Sequence, residues 1–227
     1  MDPRLRAAVD NSLAWYDDVF ALHAIPTRVD AGVWWALRPP PPWHSAVKTT
    51  RPGVRVDHVL AIHESGAVAD SFGDLDLAPH GFTLLVDATW VHHPPSNELR
   101  STLPTGWSLV RDPELLAEWN RAHDYAGVLV SAVLERPEFM VLARHVGGAL
   151  VAGAVIHRGG HPDLVGLSNA WSATSIEVDY AELLAVAAAL HPGSSITDFA
   201  READVGAMVA AGFAPVGPQR VWVREPG

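Results

Sequence analysis

The chain has 227 residues, of which 48% are hydrophobic and 19% charged, and its formal net charge is −10. This composition excludes a disordered chain, and the negative balance sets the protein as a whole against polyanions such as nucleic acids. The absence of cysteine removes disulfides, thiolate zinc sites, iron–sulfur clusters and a cysteine nucleophile, and no apolar run reaches the ~20 residues of a membrane helix, so a cytoplasmic protein with neither a nucleic-acid nor a membrane partner is expected.

In chain order, Leu5, Val9, Leu13, Tyr16, Phe20 and His23 recur every three to four residues, which predicts a helix over 2–23 that Pro26 stops. Residues 32–37 (GVWWAL) read as a strand, and the prolines at 39–42 as a stiff extended connector. Lys48, the one lysine beside fifteen arginines, follows; the plain expectation is a surface position, the sharper one a site for a compact ammonium. Residues 54–64 and 67–77 read as two helical pieces, and 82–92 as a strand. Pro94–Pro95 then opens a polar linker to about residue 105.

Local signals are denser in the second half. Asp112 as N-cap, Pro113 in the first turn, and Leu115, Leu116 and Trp119 on one side predict a helix over 112–124. Residues 139–146 and 149–157 form a hairpin about Gly147–Gly148, and 164–171 supply a third strand. An Ala/Leu helix over 180–190, a short strand over 195–199, a helix over 201–211 closed by Gly212 and a last strand over 219–224 complete the chain. The nine tryptophans are expected mostly as core anchors. An internal echo is also present: Gly81–Phe82 precedes a strand with Trp90–Val91, and Gly212–Phe213 precedes one with Trp222–Val223.

The order helix, antiparallel hairpin, third strand, helix, strand, helix, Gly-Phe, strand resembles the GNAT superfamily of acyl-CoA N-acyltransferases, over residues 107–224. The resemblance implies an α/β fold of GNAT type: a mixed, mostly antiparallel twisted sheet flanked by helices. It makes 106–227 the GNAT-like domain and 1–105 an N-terminal GNAT-like accessory half. It further implies that the third strand splays from its neighbour after Leu164, so that free main-chain groups grip a pantetheine arm. The pyrophosphate would then sit at the N-terminus of the next helix, in a loop of pattern Gln/Arg-x-x-Gly-x-Gly/Ala.

The sequence departs from that pattern in two places. Residues 172–179 (SATSIEVD) carry no glycine or arginine, and they carry Glu177 and Asp179, which repel a pyrophosphate. Met208 stands where the family often has a proton-donating tyrosine, and Arg201 where it often has an asparagine. Ser168, Asn169 and Tyr180 are therefore the candidate catalytic residues. Leu167, Ser168, Asn169, Ser172, Thr174 and Ser175 are the candidate contacts to acetyl-CoA or another acyl-CoA, with no metal. Two readings stand: transfer of an acyl group to a small-molecule amine, by a chain that could pair as a homodimer, or a non-catalytic GNAT-like module that has lost the pyrophosphate loop. Transfer from a charged tRNA is disfavoured by the net charge of −10.

Other chemistries lack their motifs. No His-Glu-x-x-His, Gly-x-Ser-x-Gly or P-loop occurs, and His157 and His161 are separated by Gly159–Gly160, which breaks a helical zinc pair. Asp70, Asp74 and Asp76 form an acidic cluster, read as a solvated helix face in preference to an amine site.

Overall fold

The computed structural model describes residues 1–96, 102–173 and 177–225. Asp2 starts the first helix, α1 (Pro3–Leu22), by accepting the N–H of Arg4, and Pro3 occupies the first turn. The buried stripe of α1 is Ala8, Val9, Asn11, Trp15, Val19 and Phe20, rotated from the Leu5–Leu13–Tyr16 stripe that periodicity predicts. Asp112 caps α3 (Pro113–Ala122) by accepting the N–H of Leu115, and Asp179 caps α4 (Tyr180–Leu190) by accepting that of Glu182. The hairpin of β7 (Phe139–Val146) and β8 (Ala149–His157) turns on Gly147 and Gly148, at φ 59° and 86°, as a type I′ turn requires.

Among the described residues one sheet of eleven strands forms, in the order β1-β2-β3-β4-β11-β5-β10-β9-β8-β7-β6. Its remaining strands are β1 (Thr27–Asp30), β2 (Val33–Ala36), β3 (Val47–Thr49), β4 (Gly66–Asp70), β5 (Thr83–His93), β6 (Trp107–Leu109), β9 (Leu164–Ser172), β10 (Ser195–Arg201) and β11 (Ala214–Arg224). Only β3–β4 and β9–β10 pair in parallel. Those two crossovers carry the helices α2 (Val56–Ile62) and α4. Helices α1 and α3 cover one face, burying Trp15, Phe20, Leu116 and Trp119 against Val141, Val155 and Trp171. On the other face Leu183, Val186 and Ala187 of α4 and Met208 of α5 (Glu202–Ala210) bury Leu142, Ile156 and Val165. There α2 sets Val59 against Val47, Val68 and Trp222. Each buried Val, Leu or Phe contributes roughly 1.5–3 kcal/mol. Trp34, Trp90 and Trp119 are core anchors as expected, whereas Trp43 is 72% exposed.

The centre of the sheet has an approximate two-fold axis. The β5–β11 ladder pairs Ala214 with His92 at one end and Val223 with Thr83 at the other; Pro218–Thr89 mirrors Arg220–Asp87, and Gln219–Ala88 lies on the axis. Even the bulged residues correspond, Val216 on β11 and Leu85 on β5. Gly81 and Gly212, both at positive φ, occupy equivalent places ahead of the two strands. Trp90 and Trp222 do not: the mate of Trp222 across the axis is Val91. The two halves of the chain interleave here, because β5 lies between β10 and β11, and β11 lies between β4 and β5.

Two sequence expectations are corrected, and three short strands have none. Residues 67–77 are not helical: Gly66–Asp70 is a strand buried between β3 and β11, and the rest is a turn that Asp70 organises. The last strand begins at Ala214 and not at 219, because the bulge at Val216 separates Pro215 from Pro218 and lets a central strand hold both prolines. Strands β1, β3 and β6 also carry no prediction; each has only three or four residues.

Candidate functional site

The parallel ladder between β9 and β10 is short. It joins Leu164 to Ser195, Val165 to Ile196 and Gly166 to Thr197, and ends there. Beyond it β10 stays with β5 as far as Arg201–Ala88, and β9 stays with β8. A bulge helps to turn β9 away: Gly153 pairs with Trp171 and Val155 with Ser168, so Ala154 faces both Asn169 and Ala170. Asn169 takes up the extra residue at φ 52°. The strands therefore separate after Gly166, later than the sequence resemblance implies, and from Leu167 to Trp171 the outer edge of β9 has no strand beside it among the described residues. Such an edge presents backbone donors and acceptors to whatever enters the gap.

At the crotch, on the α1 face, lies a cavity of about 50 Å³. Asn11, Trp15, His157, Ser168, Thr197 and Phe199 are among its walls. Asn11 closes its floor, donating from Nδ2 to the carbonyl of Gly159 at 2.8 Å. Its Oδ1 rests on Gly166, where a Cβ would collide with it. Thr197 is pinned by donating its hydroxyl to the Val91 carbonyl at 2.9 Å.

The candidates do not all meet. Leu167 is buried on the opposite face among the α4 side chains, so it offers its backbone. Ser168 lines the cavity, and its Oγ accepts from Asn169 Nδ2 at 3.1 Å. The side chain of Asn169 reaches His123, 3.5 Å from Nε2, and Tyr125. Burial lowers the pKa of that imidazole and raises that of the phenol. The His123 ring also stacks on Trp171, 6.1 Å between centroids. Tyr180 begins α4 on the far face, where burial first, then Asp204 and Asp198, push its hydroxyl above the usual range. Ser172 ends β9 opposite Ala152. Thr174 and Ser175 lie outside the described residues.

Sequence reasoning missed Asn11, His123, Tyr125, His157 and Asp198. Asp198 is the first β10 residue past the ladder; burial pushes its carboxyl well above the usual range, although it accepts from the Phe199 N–H at 2.7 Å. The start of α4 is acidic, as the sequence indicates. Asp179 occupies the cap, and Glu182 in the first turn pairs with Arg144 at 3.3 Å. The helix dipole there is already met by the chain's own carboxylates.

Two further expectations change. Lys48 is not on the surface: it is 1% exposed, its Nζ lies 4.9 Å from the Tyr16 ring centroid and 5.5 Å from that of Trp90, and it has no hydrogen-bond partner among the described residues. Burial lowers its pKa to about 7, against the pull of Asp70. The acidic trio is not a solvated helix face. Asp70 is fully buried and accepts from the N–H of Leu75 and Phe72, Asp74 accepts from that of Gly53, and Asp76 from that of Ala78. No cluster of three or more metal-ligating side chains occurs among the described residues.

No family model matches the chain, and neither does any curated protein. Solved structures do. A GNAT-family protein from Novosphingobium aromaticivorans is similar over 100% of both chains, at TM-score 0.66 and 10% identity. A GCN5-related N-acetyltransferase from Kribbella flavida is similar over 97% of this chain and 96% of that one, at TM-score 0.60 and 14% identity. A conserved protein of unknown function from Staphylococcus epidermidis covers 88% and 93%, at TM-score 0.62 and 10% identity. The fold is a divergent GNAT fold.

Proposed function

From that fold and its open strand gap, we propose that the protein transfers an acyl group from a pantetheine thioester, such as an acyl-CoA, to a small amine. The observation that carries the proposal is the end of the β9–β10 ladder at Gly166–Thr197. A pantetheine arm bears two amides, and an unpaired strand edge is the complementary partner for such a chain. An N–H of the same edge, near Leu167 and Ser168, polarises the thioester carbonyl, while the cavity on the α1 face takes the amine. The start of α4 does not fit a pyrophosphate, since Asp179 and Glu182 stand where it would lie. Most of the donor's binding energy thus comes from the arm, and a carrier-borne pantetheine thioester serves as well as an acyl-CoA.

The test compares melting temperatures with acetyl-CoA and with acetyl-pantetheine, each at a thousandfold excess over a micromolar affinity. Such an excess contributes about 4 kcal/mol. Comparable rises with both donors support the reading, and no rise with either overturns it. The acid at the α4 cap also favours a second reading, a binding module without turnover. It predicts a rise in melting temperature but no thiol released with any amine.

A further inference from the structure

The cavity has one wall that the donor does not use. His157 is the last residue of β8 and faces Gly166 in the ladder. Its side chain is 1% exposed, and its Nε2 lies 2.9 Å from Oδ2 of Asp18 on α1. A carboxylate only accepts, so Nε2 carries the hydrogen and Nδ1 keeps a lone pair. That Nδ1 is buried and has no hydrogen-bond partner among the described residues. A buried polar atom in this state calls for a partner, whether a water, an ion or a reacting group. Glycine at position 159 lets the backbone lie close against the ring: a Cβ there would collide with Cε1 and come within 3.3 Å of Nδ1.

The ring is held from every other side. Trp15 meets it edge-on at 5.5 Å and Phe139 packs at 4.8 Å. The other oxygen of Asp18 accepts from Arg136 at 3.1 Å, and Arg136 in turn pairs with Glu138 at 2.6 Å. Asp18 is thereby fixed with one oxygen on a guanidinium and the other on the imidazole.

Resting on the acyl-transfer reading above, we propose that His157 is the base that takes the proton of the acceptor amine, and that Asp18 is the positioning residue that sets its tautomer. The amine nitrogen attacks the thioester carbonyl carbon, so a C–N bond forms and the C–S bond breaks. The C–S electron pair leaves with sulfur. The amine proton passes to Nδ1, and the imidazolium returns it to the thiolate, giving amide and thiol. One water needs roughly 10–15 Å³ of such a cavity, so about 50 Å³ leaves room for a transfer that is direct or through one water. Burial holds the imidazole below its ordinary pKa, while Asp18 and Glu138 pull it up and Arg136 pulls it down. Asp198 faces the same cavity from β10. The ring is neutral at pH 7, as a base must be.

The experiment follows thiol release from acetyl-pantetheine with a panel of small amines, alongside the donor-induced rise in melting temperature. His157→Gln is expected to keep the rise and to lower kcat by about a hundredfold or more. Asp18→Asn is expected to lower kcat about tenfold or more and to move the acid limb of the pH–rate profile, and Asp18→Glu to restore much of both. A His157→Gln protein that binds donor and turns over within threefold of the parent overturns the assignment and leaves acyl transfer standing. If that variant does not fold, an acid limb unmoved in Asp18→Asn overturns it instead. A parent protein with neither a rise nor thiol release removes both readings together.

Discussion

The sheet opens twice, and the two openings have opposite fates. Strands β3 and β4 pair through Val47–Val68 and Lys48–Ala69 and then diverge, as β9 and β10 diverge after Gly166–Thr197. In the first gap the chain occupies itself. Thr49 Oγ accepts the N–H of Ser71 at 2.8 Å, and Asp70 takes two more backbone donors. Lys48 fills the space beside them, under Tyr16 and Trp90. In the second gap a cavity remains, with His157 among its walls. Parallel crossovers alone therefore do not make a site; what matters is whether side chains from the same strands satisfy the freed backbone. The loops differ in the reverse sense. Arg51 and Arg55 precede α2 at the filled gap, while Glu177 and Asp179 precede α4 at the open one.

Substitutions at the filled gap should cost or gain stability, and those at the open gap should change ligand binding. The largest effect is expected at Lys48. Its folded-state pKa of about 7 lies below the ordinary 10.5, so between these values the unfolded chain binds a proton that the folded chain has shed. Stability therefore rises with pH across that window, and the full penalty applies below it. Lys48→Met should be more stable than the parent by about 3 kcal/mol at pH 6, with the difference closing toward pH 10 in urea titrations. A constant difference would mean that Lys48 does not titrate in its buried place. Next is Asp70→Ala, which strands the N–H groups of Leu75 and Phe72 and should cost about 3 kcal/mol in the same titrations. A cost under 1 kcal/mol would show that the first gap is not held shut in this way.

At the open gap the balance reverses. Ser168→Val places two methyl groups in the cavity and should cost only about 1 kcal/mol of stability. It should raise the KM for the amine at least tenfold in thiol-release assays, and an unchanged KM would move the amine off this wall. The smallest effect is expected at Asp179. Asparagine caps a helix as well as aspartate, so Asp179→Asn should leave the melting temperature in place. It should tighten acetyl-CoA by roughly 0.3–1 kcal/mol through the relieved dipole, and acetyl-pantetheine not at all. Equal tightening of both donors would place the phosphates elsewhere.

The second half of the chain was legible because its signals are local. Asp112 with Pro113, Gly147–Gly148, and the alanine run of α4 each act within a turn or two, and all three elements lie where the sequence puts them. β4 was not legible: Ala67, Val68 and Ala69 have no strand pattern of their own, and Trp222 and Val223 of β11, far along the chain, supply their pairing. The site followed the same division. Ser168 and Asn169 stand out as polar residues in an apolar strand, and the cavity and bulge lie there. His157 does not stand out, because its partner Asp18 lies 139 residues away on a helix that periodicity places but does not orient.

Because β11 threads between β4 and β5, neither half of the molecule can close its sheet alone. While a ribosome is still making the chain, β4 and β5 have emerged with bare edges turned toward each other, and their missing neighbour leaves only after β10 and α5. Such non-local pairing slows folding and exposes sticky edges in the meantime. A stop codon just ahead of Ala214 would therefore release a chain lacking its central strand, prone to clump through that vacant slot.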